Sequence, residues 1–296
     1  YVWYKQLLAG VHLAQLMKDE AHVNTWQTLA DKLALNFEQD YCDKENILIY
    51  AHLNEDGTPD RQYRPNQLFC FELIKDEAFK QKVTRRAWEE LVYPWGVASL
   101  AQWDLQFHPQ HQNWDYYHKD DAYHNGTVWL WNNGIAMQRM IEYDQVETAW
   151  KLFCNMNRQA LKEGAVGSLS ENADAYPRKG QNWASRSGAF LQAWSNAEHL
   201  RVWYQYFLGI RPDLMNGMVT IEPKLPAAIT ELETSVKIGK GTLFYTYKNG
   251  KFDIRLTGEN AQLNIILPKE KPKKPVFEGV DFCQPQLMEE YPCFSK

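Results

Sequence analysis

Apolar residues recur at helical spacing from the first turn of the chain, where Val2, Trp3, Leu7, Leu8, Val11, Leu13 and Leu16 repeat at three- and four-residue intervals. No capping residue precedes them, so the sequence is expected to start inside a helix, as a piece of a longer protein would. A second stripe from His22 to Phe37 carries Trp26, Leu29, Ala30, Leu33 and Phe37 on one face, with Asn24 or Thr25 available as cap. The two stripes predict a helical hairpin. Further helices are predicted from about Pro65, where proline suits a first turn, and over Asp76–Leu91, Thr127–Tyr143 and Gln145–Leu161. A seventh runs from Gly188 through Phe190, Leu191, Ala193, Trp194, Ala197, Leu200, Trp203, Tyr204 and Phe207, with Gly209 and Pro212 as its stop. Its apolar residues predict a buried helix.

Past Pro212 the period switches from helical to alternating. MVTIEP, SVKIGKGTLFYTYKNGKFDIRLTG and AQLNIILP read as strands, and Asn249-Gly250 between two such runs signals a tight hairpin. ILIYAHL at Ile47–Leu53 is also strand-like. These patterns divide the chain into helices and loops at 1–212, a small antiparallel β region at 213–267 and an irregular tail at 268–296. Between the helices lie long polar and aromatic loops, Gln102–Gly126 and Gly164–Ser187. Loops of that length in a compact domain are usually functional or disordered, and their density of Trp, Tyr, His and Asp argues against disorder.

Composition narrows the classes. With 296 residues and 45% hydrophobic content, the chain can bury a substantial core. A formal charge of -5, with Lys and Arg scattered, gives no basic stripe for nucleic acid. No apolar run reaches the roughly 20 residues of a membrane span, and no leader pattern opens the sequence. The five cysteines are odd in number and widely spaced, so free buried thiols and a reducing, cytoplasmic compartment are the expectation. The 12 Trp and 16 Tyr lean towards carbohydrate, because their faces stack on sugar rings as readily as they fill a core.

Candidate chemistry concentrates in the loops. Glu171 stands in a turn-rich segment beside Asn172, Asp174, Tyr176, Pro177, Arg178, Gly180 and Gln181. His124 and Asn125 precede a glycine and the Trp129-Leu130-Trp131 run. There they could hold sugar hydroxyls beside the two indoles, or Asn125 could cap the next helix with both tryptophans in the core. Arg64 and Asn66 stand ahead of a helix, where a guanidinium binds a hydroxyl or pairs with a neighbouring Asp. His108, His111, His118 and His124 match no compact zinc spacing, so no metal is expected. No phosphate-binding glycine loop or nucleophile elbow occurs, and no cofactor is expected.

Four segments occur in the order and form of one known family: RPNQLF at Arg64–Phe69, YPWGVASL at Tyr93–Leu100, YHNGTVWLW at Tyr123–Trp131, and Glu171 followed by GAFLQAWS at Gly188–Ser195. Together they resemble the amylo-α-1,6-glucosidase part of glycogen debranching enzymes. Ser170 and Leu130 depart from that family's pattern, which has proline at both positions. The resemblance implies a mainly α fold, the later half of an (α/α)6 toroid followed by a small antiparallel sheet. It also implies inverting hydrolysis of an α-1,6-linked glucose, with Glu171 as general base and Arg64, Asn66, His124, Asn125, Trp129, Trp131, Gln192 and Trp194 contacting the sugar. Inversion needs a second carboxyl group about 6.5–9.5 Å from the base. The family's acid is an Asp in a Trp-Met-Asp-like segment that this sequence does not contain, and nothing singles out Asp104, Asp115, Asp120, Asp121 or Asp174 in its place. The expected partners are glycogen or another branched α-glucan, with the upstream half of the toroid or a second copy of the chain covering the first helix. Without such cover Val2, Trp3, Leu7 and Val11 are expected to face water. Another exo-acting toroid glycosidase, or a catalytically silent glucan-binding fragment, remain the alternatives.

Overall fold

The computed structural model describes residues 1–267 and 277–286. The chain divides into two compact units. The first takes in residues 1–93, 98–127 and the chain from 282 onward; the second takes in residues 94–97 and 128–281.

The first unit opens with the expected hairpin of helices, α1 (Val2–Met17) and α2 (Glu20–Tyr41). Lys18 ends α1 in the left-handed conformation, and Asp19 caps α2 by accepting the His22 N–H at 3.2 Å. Leu7, Val11 and Ala14 form the buried face of α1, whereas Val2 and Trp3 are 80% and 56% exposed. The expectation of exposure therefore fails at Leu7 and Val11, which lie one and two turns further along on the inner stripe. Strands β1 (Cys42–Asp43) and β2 (Leu48–Ile49) pair antiparallel, so only two residues of the strand-like ILIYAHL run are in a ladder. The helix expected from Pro65 is instead a pair of 3₁₀ turns, Pro65–Phe69 and Phe71–Leu73. Pro65 opens the first turn as predicted. The segment buries Pro65, Gln67, Leu68, Phe71 and Leu73, too many directions for the single stripe of an α-helix.

Helix α3 (Glu77–Leu91) is capped by Asp76, whose side chain accepts the Phe79 N–H at 3.0 Å. Its stripe of Phe79, Val83, Ala87, Trp88 and Leu91 is fully buried, each large member contributing about 1.5–3 kcal/mol. Strand β3 (Val92–Tyr93) follows. The aromatic loop contains one short helix, α4 (Lys119–Tyr123), that the sequence pattern does not announce.

The second unit begins with β4 (Gly96–Val97) and β5 (Val128–Trp129), then a second hairpin of α5 (Asn132–Glu142) and α6 (Val146–Arg158). α5 starts five residues later than the pattern predicts, because Val128 and Trp129 are drawn into a sheet with β6 (Asn172–Ala173), which in turn pairs with β7 (Arg186–Ser187). α6 continues into a π turn at Gln159–Glu163. Helix α7 spans Ala193–Val202 and runs into a π turn at Trp203–Phe207. It is not the buried helix expected. Ser195 and Val202 are its buried residues, while Phe190, Leu191, Trp194 and Leu200 are each about half exposed or more. An aromatic cluster joins α6 to α7: Phe153 stacks on His199 at 4.1 Å and on Trp203 at 5.7 Å.

The β region comprises two three-stranded sheets. β8 (Ile210–Asp213), β9 (Met218–Ile221) and β13 (Gln262–Ile265) form one; β10 (Glu231–Ile238), β11 (Gly241–Lys248) and β12 (Lys251–Thr257) form the other. The second is the antiparallel meander expected, with Asn249 and Gly250 both at positive φ in the turn that sets Lys248 opposite Lys251. The first is mixed rather than antiparallel. β13 lies parallel to β9 because the whole meander intervenes as their crossover. Leu208, Ile210, Val219, Ile221, Ile238, Leu243 and Tyr245 make the core of this region. Within the expected tail, residues 277–286 carry no regular structure yet bury Phe277 and Cys283, and the rest of 268–296 lies outside the described residues. Among the described residues Cys70 and Cys283 are buried thiols outside any disulfide, Cys42 is half-buried and Cys154 is exposed, so the buried-thiol expectation fails at Cys154. No described helix is long and apolar enough to cross a membrane.

Candidate active site

Glu171 immediately precedes the central strand of the small sheet β5–β6–β7, and that sheet fixes its main chain from both sides. Its carbonyl accepts the Leu130 N–H at 3.2 Å, and its own N–H donates to the Ala189 carbonyl at 2.7 Å. The Ala189 N–H returns a bond of 3.0 Å to Glu171 Oε2. The carboxylate is thus oriented through a main-chain donor while remaining part-exposed. An oriented, solvent-reachable carboxylate is the arrangement that can take a proton from an attacking water.

The residues around it are held closely. Ser170 is buried and donates from Oγ to the Asn172 carbonyl at 2.9 Å. The preceding loop is tied to the start of α7: Asn196 Oδ1 accepts the Leu169 N–H at 2.9 Å, Asn196 Nδ2 donates to Ser168 Oγ at 2.9 Å, and the Gln192 N–H donates to the Leu169 carbonyl at 3.0 Å. Asn172 is fully buried, and among the described residues its Oδ1 has no hydrogen-bond partner. Gly188 closes the arrangement at φ +68°. A Cβ there would stand 2.5 Å from Glu171 Oε2 and 2.6 Å from Asn172 Oδ1, so only glycine leaves both oxygens their place.

The expected sugar contacts fall in both units. In the second, Trp129 stands opposite Asn172 in the ladder and Trp131 is the cap residue of α5. The two half-buried indoles therefore flank Leu130, the residue that bonds Glu171. Gln192 is the cap residue of α7, its Oε1 accepting the Ala193 N–H at 3.1 Å, and Trp194 in the first turn is 48% exposed. In the first unit, Arg64 donates to Asn125 Oδ1 at 2.8 Å, to the Ser99 carbonyl at 3.2 Å and to the His124 carbonyl. Burial lowers the pKa of that guanidinium from its ordinary value. Arg64 thus clamps the turn that presents the exposed His124 ring. Asn125 does not cap α5. Its Nδ2 donates to the Asp121 carbonyl at 3.0 Å, tying the end of α4 instead, while Asn66 is exposed on its 3₁₀ turn.

Of the loop carboxylates, Asp174 is buried and bonded by Arg178 Nε at 3.1 Å, and Asp104 accepts the Gln106 N–H in a local turn. Asp115, Asp120 and Asp121 are exposed. Among the described residues no three His, Cys, Asp or Glu side chains are grouped as metal ligands. Sequence reasoning gave Gly188 and Asn172 no part in placing the carboxylate, and it passed over Ser168 and Asn196. Gly188 appears in the sequence as the start of the seventh helix and of the GAFLQAWS segment, and only the contact across the loop reveals what it does beside Glu171.

The family model for amylo-α-1,6-glucosidase matches residues 2–201. No curated protein matches the chain. Among solved structures, a sialidase superposes with a TM-score of 0.65 at 15% identity, over 88% of this chain and 25% of its own. The GH78 family rhamnosidase of Bacillus sp. GL1 superposes with a TM-score of 0.56 at 16% identity, over 90% of this chain and 25% of its own. At these identities the likeness is one of fold. The chain spans about a quarter of the length of either structure.

Proposed function

The chain belongs to the amylo-α-1,6-glucosidase family, and from that membership we propose that it carries the general base of an inverting glycoside hydrolase acting on α-1,6-linked glucose in glycogen or a related branched α-glucan. Glu171 is the base. The observation that carries this reading is the carboxylate itself, oriented by the Ala189 N–H and part-exposed beside the Trp129-Leu130-Trp131 segment. A water deprotonated by Glu171 attacks the anomeric carbon while a separate acid protonates the departing oxygen. The indoles of Trp129 and Trp131 supply apolar faces for the sugar, with His124, Asn125, Arg64, Asn66, Gln192 and Trp194 as further contacts. The hairpins α1–α2 and α5–α6 belong, in this reading, to the later half of an (α/α)6 toroid.

A second reading is branched-glucan binding without turnover. It is favoured by the exposed aromatic side chains of Phe190 and Trp194 at the end of the Glu171 loop, which can stack on sugar whether or not a second carboxyl group is at hand. Glucose release from a branched dextrin separates the two, and an equal rate on a linear dextrin would contradict the α-1,6 assignment. For the leading reading, Glu171→Gln lowers turnover by at least ~10²-fold with substrate affinity little changed, because the amide cannot take the proton. Azide restores activity to that variant and yields the glycosyl azide of opposite anomeric configuration. Turnover within a few-fold of the parent would remove Glu171 from the role.

A further inference from the structure

The meander β10–β11–β12 has two edges, and among the described residues no strand pairs with the outer side of β12. Residues Lys251–Thr257 run along that edge without proline, glycine or a break in their ladder to β11. An edge of this kind is a template for another strand. The two-residue turn at Asn249 and Gly250 makes Lys248 and Lys251 a hydrogen-bonded pair, so Lys251, Asp253, Arg255 and Thr257 turn their main-chain groups towards β11. Phe252, Ile254 and Leu256 turn theirs outward.

The side chains sort in the same way. Phe252, Ile254 and Leu256 lie on the core face, packed against the cluster that holds Leu243 and Tyr245 but only partly buried. Lys251, Asp253, Arg255 and Thr257 are exposed on the other face. Within the sheet Asp253 stands opposite the neutral Thr246, and Arg255 lies over the ring of its opposite residue, Phe244, at 5.0 Å. β10 forms the other edge, and its charges are engaged inside the sheet: Glu231 pairs with Lys248 at 3.2 Å, and Lys237 donates to Thr242 Oγ1 at 2.9 Å.

We propose that the β12 edge is a self-association surface, taken by β12 of a second copy of the chain running antiparallel about a two-fold axis at Ile254. In that register Phe252, Ile254 and Leu256 meet Leu256, Ile254 and Phe252 of the second copy, and each such pair exchanges both of its main-chain hydrogen bonds. Asp253 comes opposite Arg255 of the second copy, and by symmetry Arg255 comes opposite its Asp253. Moving the axis one residue either way sets Asp253 against Asp253 or Arg255 against Arg255, which places like charges face to face. On the core face the half-buried apolar rows of the two copies join across the axis and cover one another. Nothing in this pairing depends on the chemistry at Glu171.

The test uses the full chain carrying Trp3→Lys and Leu16→Lys, which charge the exposed face of α1 and keep it from contributing. Sedimentation equilibrium is run up to about 0.5 mM, where a contact smaller than a standard interface is still populated. A dimer is expected. Asp253→Arg and Arg255→Asp each set like charges opposite one another and are expected to weaken it about tenfold, and the two together to restore it to within about threefold. Cross-linking reads the register. Asp253→Cys and Arg255→Cys chains, mixed, bring two thiols to the ~4.5 Å Cα separation of a non-hydrogen-bonded pair, so peptide mapping is expected to find 253 joined to 255, a link that neither variant forms alone. A monomer throughout, single reversals without effect, a double reversal no tighter than either single, or no 253–255 link would each overturn the proposal. So would slow exchange of the Phe252, Ile254 and Leu256 amides in a monomer, which would show the edge covered by its own chain, or growth beyond a dimer, which would show β12 pairing with β10 of the next copy.

Discussion

Replacing Gly188 by alanine tests the candidate site through geometry alone. Two costs arise. At φ +68° a side chain is strained by about 1–2 kcal/mol, and the added Cβ would meet Glu171 Oε2 at 2.5 Å and Asn172 Oδ1 at 2.6 Å. An ordinary contact begins near 3.4 Å, so something must retreat by roughly 0.9 Å. Asn172 is fully buried in the central strand and cannot follow. The part-exposed end of Glu171 gives way instead, pulling from the Ala189 N–H. A misplacement of about 1 Å at a reacting group costs up to ~10²-fold in rate. Gly188→Ala is therefore expected to lose about 1–3 kcal/mol of stability and to lower glucose release from branched dextrin by ~10- to 100-fold. Gly57→Ala is the control. It sits at φ +81° with nothing among the described residues within 4 Å of an added Cβ, so it bears the backbone cost without approaching the carboxylate. Calorimetry and the release assay on both variants separate strain from displacement. Equal turnover in the two would refute the reasoning, by showing either that this contact does not set the carboxylate or that Glu171 is not the base.

Two further outcomes follow from groups elsewhere. Burial pushes the His199 imidazole down to about 4, with Nε2 on Asn157 Oδ1 at 2.9 Å and the ring against Phe153. Between pH ~6.5 and that value the unfolded chain binds the proton and the folded one does not, so stability falls by up to about 3 kcal/mol as pH drops through this window. Thermal melts should show the loss, His199→Gln should flatten it, and an unchanged pH profile in the variant would assign the loss elsewhere. On α1, Val2, Trp3, Leu13, Leu16 and Met17 are all more than half exposed, each forgoing about 1.5–3 kcal/mol while uncovered. Sedimentation velocity at micromolar concentration is expected to show self-association that Trp3→Lys with Leu16→Lys suppresses; a concentration-independent monomer would count against it.

What the sequence disclosed followed the range of the interactions involved. The stripe of α3 and the Asn249-Gly250 turn are local devices, readable from a few neighbouring residues. Val128 and Trp129 continue the helical pattern of α5, yet their backbone groups go to Asn172 and Ala173, and a two-residue strand has no period of its own to betray this. For α7 the helical period was legible but the buried face was not. Burial there is set by Ser195, Val202 and the ties of Asn196, while Trp194 and Leu200 point away. The parallel placement of β13 depends on a crossover of some forty residues. At the site, Glu171 stood out through four ordered segments, whereas Gly188 and Asn172 matter only because the loop folds back upon itself.

The two helices whose starts are tied to the Glu171 loop, α5 and α7, differ in how firmly they are held. α5 buries Asn132 to Met137 without a break and Arg139 to Ile141 beyond, while α7 buries only Ser195 and Val202. Amide exchange should accordingly be slow in α5 and fast in α7, the latter opening at a free energy well below that of the whole molecule. The loop is anchored to both, through Leu130 ahead of α5 and through Gln192 and Asn196 at the start of α7. Ala189, which orients the carboxylate, lies on the α7 side. Fraying of α7 is expected to loosen Ala189, and with it the direction of the Glu171 side chain, while the bond of the Glu171 main chain to Leu130 is kept. Any body that covers Trp194 and Leu200 raises the cost of that fraying, and by linkage it raises the fraction of molecules in which the carboxylate is aligned. Alignment of the Glu171 carboxylate is in this sense a property on loan from the outer face of α7.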